Sequence, residues 1–430
     1  MKKIILFAVS LAAVSLSGCS FGTSIDNLMA PPKLSVEQEQ VYNTLKDTAG
    51  QNVRLKYPKS GSYLSSFIIE DIDDDGGNEA VVFYEKTGFT SDETTLRINI
   101  LDKVGGKWRS VCDTPAEGSE IEKVSISKLG ENEHTNIIIG TSILNRSEKK
   151  VSVYNYDSSD GTITKNFSSP YTYMDILDLD SDGNNELFLL SGSSDSYAEA
   201  SAYKLSSDGK YHVYNAKLSE GFTEFDNVVY GSIDSERNGL YVDALSGTGT
   251  IQTEVLYMSS QGLQNVLAAN QNNISTVRIS GCNTTDIDGD GIYEIPVQTT
   301  FAGYLSSDEN EKIKMTNWYY LKDNTLTKKY SSYYSISDGY AFIIPDKWLN
   351  KVSVKLDTLN DEVVFYKLSD RTELLKIYTA EDSASREDRM TAGYQVMYSK
   401  GEAYYLACVA DDEELGISTG DLALCFKYIS

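Results

Sequence analysis

The chain has 430 residues, more than one ordinary domain uses, and its 63 acidic against 38 basic side chains give a formal charge of −25. A field of that sign repels nucleic acid and anionic headgroups and attracts cations, so no nucleic-acid partner is expected. Besides Cys19 there are four cysteines, Cys112, Cys282, Cys408 and Cys425, and none shows the Cys-x-x-Cys spacing of a zinc site.

At the N-terminus, Lys2 and Lys3 precede an apolar run from Ile4 to Leu16 that ends in Leu16-Ser17-Gly18-Cys19. The run falls short of the roughly 20 residues needed to cross a bilayer. Its ending resembles the lipobox of bacterial lipoproteins. That resemblance implies a signal peptide over 1–18, cleavage before Cys19 and lipidation of that residue, hence a protein anchored to the membrane on its extracytoplasmic face. Acyl chains contribute about 0.8 kcal/mol per buried methylene, so two or three hold the chain stably. Residues 19–34, polar and carrying Pro31-Pro32, read as a tether.

Ser35 followed by Gln38 has the form of a capping box, and Val41 and Leu45 share a helical face, which predicts a short helix over 35–50. From 51 to 334 the pattern changes to short alternating runs punctuated by Gly, Asn, Asp and Ser, a mainly β signature. Within it one unit recurs. Asp71-Ile72-Asp73-Asp74-Asp75-Gly76-Gly77-Asn78-Glu79 precedes an apolar run, as do Asp178-Leu179-Asp180-Ser181-Asp182-Gly183-Asn184-Asn185-Glu186 and Asp286-Ile287-Asp288-Gly289-Asp290-Gly291-Ile292-Tyr293-Glu294. Degenerate copies begin midway at Lys128 and Ser232, so five units follow one another at about 54 residues.

Each unit has room for four strands, which in the first are 79–86, 95–104, 107–113 and 120–128. Four-stranded units repeated radially make a β-propeller. The last unit supplies three strands, and the segment 63–70 is free to complete it, which predicts a five-bladed β-propeller over 51–334 closed by an N-terminal strand. Residues 335–430 break the period and read as a small α+β domain, with strands expected at 341–344, 352–356, 362–368, 374–378, 394–399, 403–410 and 422–429. The polar stretch 381–390 is open between helix and loop. Cys408 and Cys425 could pair there or remain free thiols.

In Asp-x-Asp-x-Asp-Gly-x-x-Glu, carboxylates at positions 1, 3, 5 and 9 surround one tight turn, and the glycine at position 6 supplies the left-handed backbone that closes it. Hard divalent cations suit an oxygen shell of this kind, and calcium tolerates its irregular geometry better than magnesium does. The loops resemble the FG-GAP or VCBS-type repeats of integrin α-subunit propellers and bacterial surface proteins, across about 270 residues. The resemblance implies structural Ca²⁺ at up to three sites. The ligands would be Asp71, Asp73, Asp75 and Glu79; Asp178, Asp180, Asp182 and Glu186; and Asp286, Asp288, Asp290 and Glu294, with carbonyls from Gly77, Asn184 and Ile292. The copies at Lys128 and Ser232 depart too far from the pattern to bind metal.

No catalytic motif stands out. His134 and His212 lie in different repeats, and the 30 tyrosines, including Tyr319-Tyr320, Tyr333-Tyr334 and Tyr404-Tyr405, suit strands as well as they suit ligand stacking. The expected function is a lipid-anchored, calcium-stabilised binding or scaffold protein for an extracellular protein or glycan. Two alternatives stay open: an enzyme acting on cell-wall or other polysaccharide, which needs a carboxylate pair in a cleft, and an assembly factor for envelope proteins.

Overall fold

Local capping and apolar spacing produce the first element of the fold. The computed structural model describes residues 34–86, 96–143, 147–269 and 274–429. Cys19, the signal segment and nearly all of the tether lie outside them. Helix α1 (Val36–Ala49) begins at Ser35, whose hydroxyl accepts from the Gln38 amide while the Gln38 side chain accepts from the Ser35 amide, and it buries Val41 and Leu45.

The first sheet forms around its acidic loop. Strands β1 (Val53–Leu55) and β2 (Phe67–Glu70) both lie along one edge of β3 (Glu79–Lys86), and β4 (Leu96–Val104) and β5 (Lys107–Pro115) continue the antiparallel order. The second sheet is β6 (Glu120–Lys128), β7 (Thr135–Ser142), β8 (Lys149–Asp157) and β9 (Thr162–Tyr171). The third is β10 (Tyr173–Leu177), β11 (Glu186–Ser191), β12 (Tyr197–Leu205) and β13 (Tyr211–Glu220). The fourth runs β14 (Phe225–Ser232), β15 (Asn238–Gly247), β16 (Thr250–Ser259), β17 (Gly262–Asn265), with β18 (Arg278–Ile279) also against β16. The fifth has β19 (Ile295–Thr300), β20 (Lys314–Lys322), β21 (Thr325–Ser335) and β22 (Tyr340–Ile343).

The sixth sheet comprises β23 (Val352–Asp357), β24 (Glu362–Lys367), β25 (Glu373–Ala380), β26 (Gln395–Lys400) and β27 (Ala403–Val409), in the order β23-β24-β25-β27-β26. Helix α2 (Ser383–Thr391), capped by Asp382, occupies the stretch left open between helix and loop. After helix α3 (Thr419–Cys425), β28 (Phe426–Tyr428) returns to pair with β22, so the fifth sheet draws on the last residues of the chain.

Two strand expectations are corrected. The sheets begin one strand earlier than the repeat frame placed them: 120–128 opens the second sheet, and residues 67–70, meant to close a ring, pair with β3 of their own sheet. The reason is local. An acidic loop whose ends are drawn together makes its flanking strands a hairpin, and sequence neighbours pair at the smallest loop-closure cost. Among the described residues, no sheet is closed on itself. The stretch 422–429 is not one strand either, because the Ser418 hydroxyl accepts from the Asp421 amide and starts helix α3 instead.

Apolar side chains weld each sheet to the next. Ile68, Val81, Phe83 and Ile98 meet Ile121, Val124 and Ile137 between the first and second sheets. Ile138 and Val151 meet Leu187 and Leu189, then Phe188 and Leu190 meet Leu240 and Val242, and Tyr241 and Val255 meet Ile295 and Leu321. Phe342 and Tyr340 of the fifth sheet share a core with Trp348, Val354, Phe365 and Ile377. The far face of the first sheet is covered by helix α1, whose Val41 and Leu45 pack on Phe67, Val82 and Trp108. Among the described residues, no apolar cluster joins the first sheet to the sixth.

Candidate metal centres in the acidic loops

The three acidic loops sit between the strands β2 and β3, β10 and β11, and ahead of β19. Their backbones repeat one conformation. Position 4 is left-handed in each, at φ 63° for Asp74, 59° for Ser181 and 80° for Gly289, and position 6 again, at 89° for Gly76, 90° for Gly183 and 87° for Gly291. Glycine accepts the second of these without steric cost.

The side-chain hydrogen bonds repeat as well. The position 1 aspartate takes the amide of the position 6 glycine: Gly76 to Asp71 at 3.0 Å, Gly183 to Asp178 at 2.9 Å, Gly291 to Asp286 at 2.8 Å. The position 5 aspartate takes the amide of position 7: Gly77 to Asp75 at 2.6 Å, Asn184 to Asp182 at 2.9 Å and Ile292 to Asp290 at 2.9 Å. The position 9 glutamate reaches back across the loop to accept from position 2: Ile72 to Glu79 at 3.0 Å, Leu179 to Glu186 at 2.9 Å and Ile287 to Glu294 at 3.0 Å. Each loop is thereby pulled shut with one oxygen of the glutamate spent on its own backbone.

Carboxylate oxygens converge in all three. Asp71, Asp73 and Glu79 bring theirs within 4.8 Å of one another, as do Asp178, Asp180 and Glu186, and Asp286, Asp288 and Asp290, while Asp75, Asp182 and Glu294 stand outside these groups. Glu79, Glu186 and Glu294 are at most 1 % exposed. Burial pushes their carboxyls up to about 7, and neighbouring aspartates push the same way. Oδ1 of Asp71 and Oε1 of Glu186 are buried without a hydrogen-bond partner. Buried acceptors left over in a hard-oxygen cage fit a divalent cation, which would take Asp71, Asp73 and Glu79 in the first loop, Asp178, Asp180 and Glu186 in the second, and Asp286, Asp288 and Asp290 in the third.

Two lysines that the sequence reading missed reach into the second and third of these cages. Lys204 places Nζ 2.6 Å from Asp180 and against Asp182, and Lys329 lies 2.7 Å from Asp288, 2.6 Å from Asp290 and 2.8 Å from Glu294. Burial alone would lower both ammonium groups. The aspartate hydrogen bonds outweigh it and hold both above the ordinary lysine value. Nothing local in the sequence flags them, because they arrive from β12 and β21 across the sheet.

The degenerate loops are closed by their own cations or borrow from neighbours. In the loop at Ser232, Arg237 pairs with Asp234 at 2.5 Å. At Lys128, the lysine pairs with Asp74 of the first loop at 2.9 Å, and the Thr135 amide donates to the same carboxylate at 3.1 Å. Contacts of this kind carry the loops from sheet to sheet. The Gly130 amide donates to the Asn185 carbonyl at 2.8 Å, and the Tyr230 hydroxyl to the Asp178 carbonyl at 2.8 Å.

The remaining candidates do not gather into a site. His134 and His212 are exposed on separate sheets. Tyr333 and Tyr405 are core residues, and Tyr319, Tyr320, Tyr334 and Tyr404 are half-buried strand positions. Cys408 and Cys425 are free and lie in different apolar clusters, Cys408 of β27 beside Leu406 and Tyr394 and Cys425 of helix α3 beside Phe426.

No family model and no curated protein matches the sequence. Among solved structures, the periplasmic gluconolactonase PpgL of Pseudomonas aeruginosa is similar over 69 % of this chain and 77 % of that one, at 12 % identity and a TM-score of 0.29. Sqt1 of Saccharomyces cerevisiae is similar over 78 % of this chain and 91 % of that one, at 10 % identity and a TM-score of 0.30. At such scores neither likeness bears on fold or function.

Proposed function

We propose that the chain is a calcium-stabilised binding or scaffold protein of the extracytoplasmic face, held to the membrane through a lipid on Cys19, with its sheets as FG-GAP or VCBS-type propeller blades. Its ligand class is an extracellular protein or glycan. The observation that carries the calcium part is the identity of the three loops. They share the same left-handed positions, the same three side-chain closures and the same buried glutamate, with a buried carboxylate oxygen that accepts no hydrogen bond in two of them.

Because the first two loops also touch a following sheet and the third the preceding one, a cation there stabilises the contact between sheets as well as its own turn. Binding only the folded chain, calcium at a hundredfold excess over its dissociation constant adds about 2.7 kcal/mol per site. The test is thermal melting in calcium and in chelator, for the natural chain and for a chain carrying Glu79→Gln, Glu186→Gln and Glu294→Gln. Calcium raises the melting temperature of the first and not of the second. Melting of the natural chain that ignores calcium overturns the proposal.

A further inference from the structure

The third acidic loop differs from the other two in having no carboxylate oxygen to spare. Asp286 accepts from the Gly289 amide at 2.7 Å and the Asp290 amide at 3.1 Å through Oδ1, and from the Gly291 amide through Oδ2. Oδ1 of Asp290 accepts from the Ile292 amide, Oε2 of Glu294 from the Ile287 amide, and Oδ1 of Asp288 from the Asp290 amide at 3.4 Å. The remaining oxygens of Asp288, Asp290 and Glu294 all meet the Lys329 ammonium, at 2.7, 2.6 and 2.8 Å, and the Tyr330 hydroxyl adds a bond to Asp288 at 2.7 Å. Lys204 does less for the second loop. It stops 3.7 Å from Glu186, whose Oε1 is left without a donor. In the first loop Oδ1 of Asp71 is left in the same way, and among the described residues no lysine or arginine pairs with Asp71, Asp73, Asp75 or Glu79.

The strand that carries Lys329 supplies a second, independent observation. β21 pairs Tyr330 with Trp318 and Lys328 with Tyr319, which makes Lys329 the extra residue of a β-bulge. Bulges disrupt the ladder locally and re-aim a side chain. This one aims an ammonium across β20 at the loop that leads into β19. Lys204 has no such device and keeps regular pairing with His212.

We propose that Lys329 is the resident cation of the third loop. Its ammonium takes the place a metal would fill, so residues 286–294 keep their turn, and the bridge from Ile292 to Ser232 of the fourth sheet, without calcium. A metal could enter only by breaking three charge-assisted hydrogen bonds at once. Withdrawing calcium then loosens the first two loops and spares the junction between the fourth and fifth sheets. That contrast rests on the calcium reading of the first two loops, whereas the role of Lys329 does not.

Hydrogen exchange of the full chain, followed segment by segment in calcium and in chelator, tests both parts. Segments 71–79 and 178–186 exchange faster in chelator, and 286–294 exchanges alike in the two conditions. Lys329→Met keeps the aliphatic stem and removes the charge, and it speeds exchange of 286–294 in chelator about tenfold. Lys328→Met, the same charge change at an exposed neighbour, leaves that segment unchanged. Faster exchange of 286–294 in the natural chain on chelation overturns the proposal, as does exchange there that Lys329→Met fails to move or that Lys328→Met moves equally. If 71–79 and 178–186 ignore the chelator, the calcium reading falls instead, and the response of 286–294 to Lys329→Met still decides the role of the lysine.

Discussion

Asp102 and Lys204 occupy the same register position in their sheets and carry opposite charge. Ala80 pairs with Leu101 on β4 and Leu187 with Tyr203 on β12, so the next residue in each strand stands across from the glutamate that ends the acidic loop. In the first sheet that neighbour adds a negative charge to the cage. In the third it inserts an ammonium between Asp180 and Asp182.

The first prediction follows from that pair. The loop at Asp71 binds calcium more tightly than the loop at Asp178, where the cation must displace Lys204. Lys204→Met raises the affinity of the second loop on the order of tenfold, since it removes a competing charge-assisted contact. The measurement is calcium titration of chains in which the position 9 glutamates of the other two loops are glutamine. Equal affinities before and after the substitution would contradict it.

Glycine positions separate backbone strain from collision. Gly183 has nothing within 4 Å of where a Cβ would stand, so Gly183→Ala costs only the left-handed backbone, about 1–2 kcal/mol. At Gly130 the added carbon would meet the Leu205 carbonyl oxygen at 2.1 Å, with φ at 56° as well. Gly130→Ala therefore costs more, about 3 kcal/mol or above, and loosens the second sheet from the third. Denaturant melts of the two variants give the comparison, and a Gly130→Ala chain as stable as Gly183→Ala refutes the clash.

Within the fourth sheet, between β15 and β18, lies a fully buried ion pair, Arg278 with Asp243 at 2.8 Å. Asp243 also accepts from the Thr284 amide at 2.7 Å and the Thr253 hydroxyl at 2.6 Å, and Arg278 donates to the Thr276 carbonyl at 2.8 Å. Arg278→Met leaves the carboxylate buried and unpaired, at a cost of about 3–5 kcal/mol. The double change with Asp243→Asn recovers part of that loss. Non-additivity in a double-mutant cycle is the readout, and strictly additive losses would mean the pair is not coupled.

Thiol chemistry tests the packing of the last sheets. Burial pushes the Cys282 thiol up to about 12 and the Cys425 thiol up to about 11. Both stay protonated and inert to alkylation in the native chain near pH 8. All four cysteines of the described chain react in denaturant without reductant, because none is bridged. A native chain that loses Cys282 or Cys425 to a brief alkylation pulse would contradict the burial.

How much of this was legible in advance varies with the range of the interaction responsible. The helix at Ser35 and the three acidic turns were readable because their determinants lie within a few residues: a hydroxyl reaching three amides ahead, a glycine at a left-handed position, a glutamate returning to the residue seven before it. The framing of the sheets was not. Alternation marks 67–70, 79–86 and 120–128 as strands but leaves open which two share an edge. The hairpin signal was there in the glutamate that draws its loop shut, and the ring-closing assignment overlooked it.

By itself, the sequence determined the strand-rich repeat, the period of about 54 residues, the charge and the chemistry of the loops. Each of these is a property of residue type and short spacing. Tertiary structure alone decided that Lys204 and Lys329 enter the cages and that Arg278 finds Asp243. These partners lie many residues apart in the chain, and only the pairing of strands and the packing of one sheet on the next brings them together.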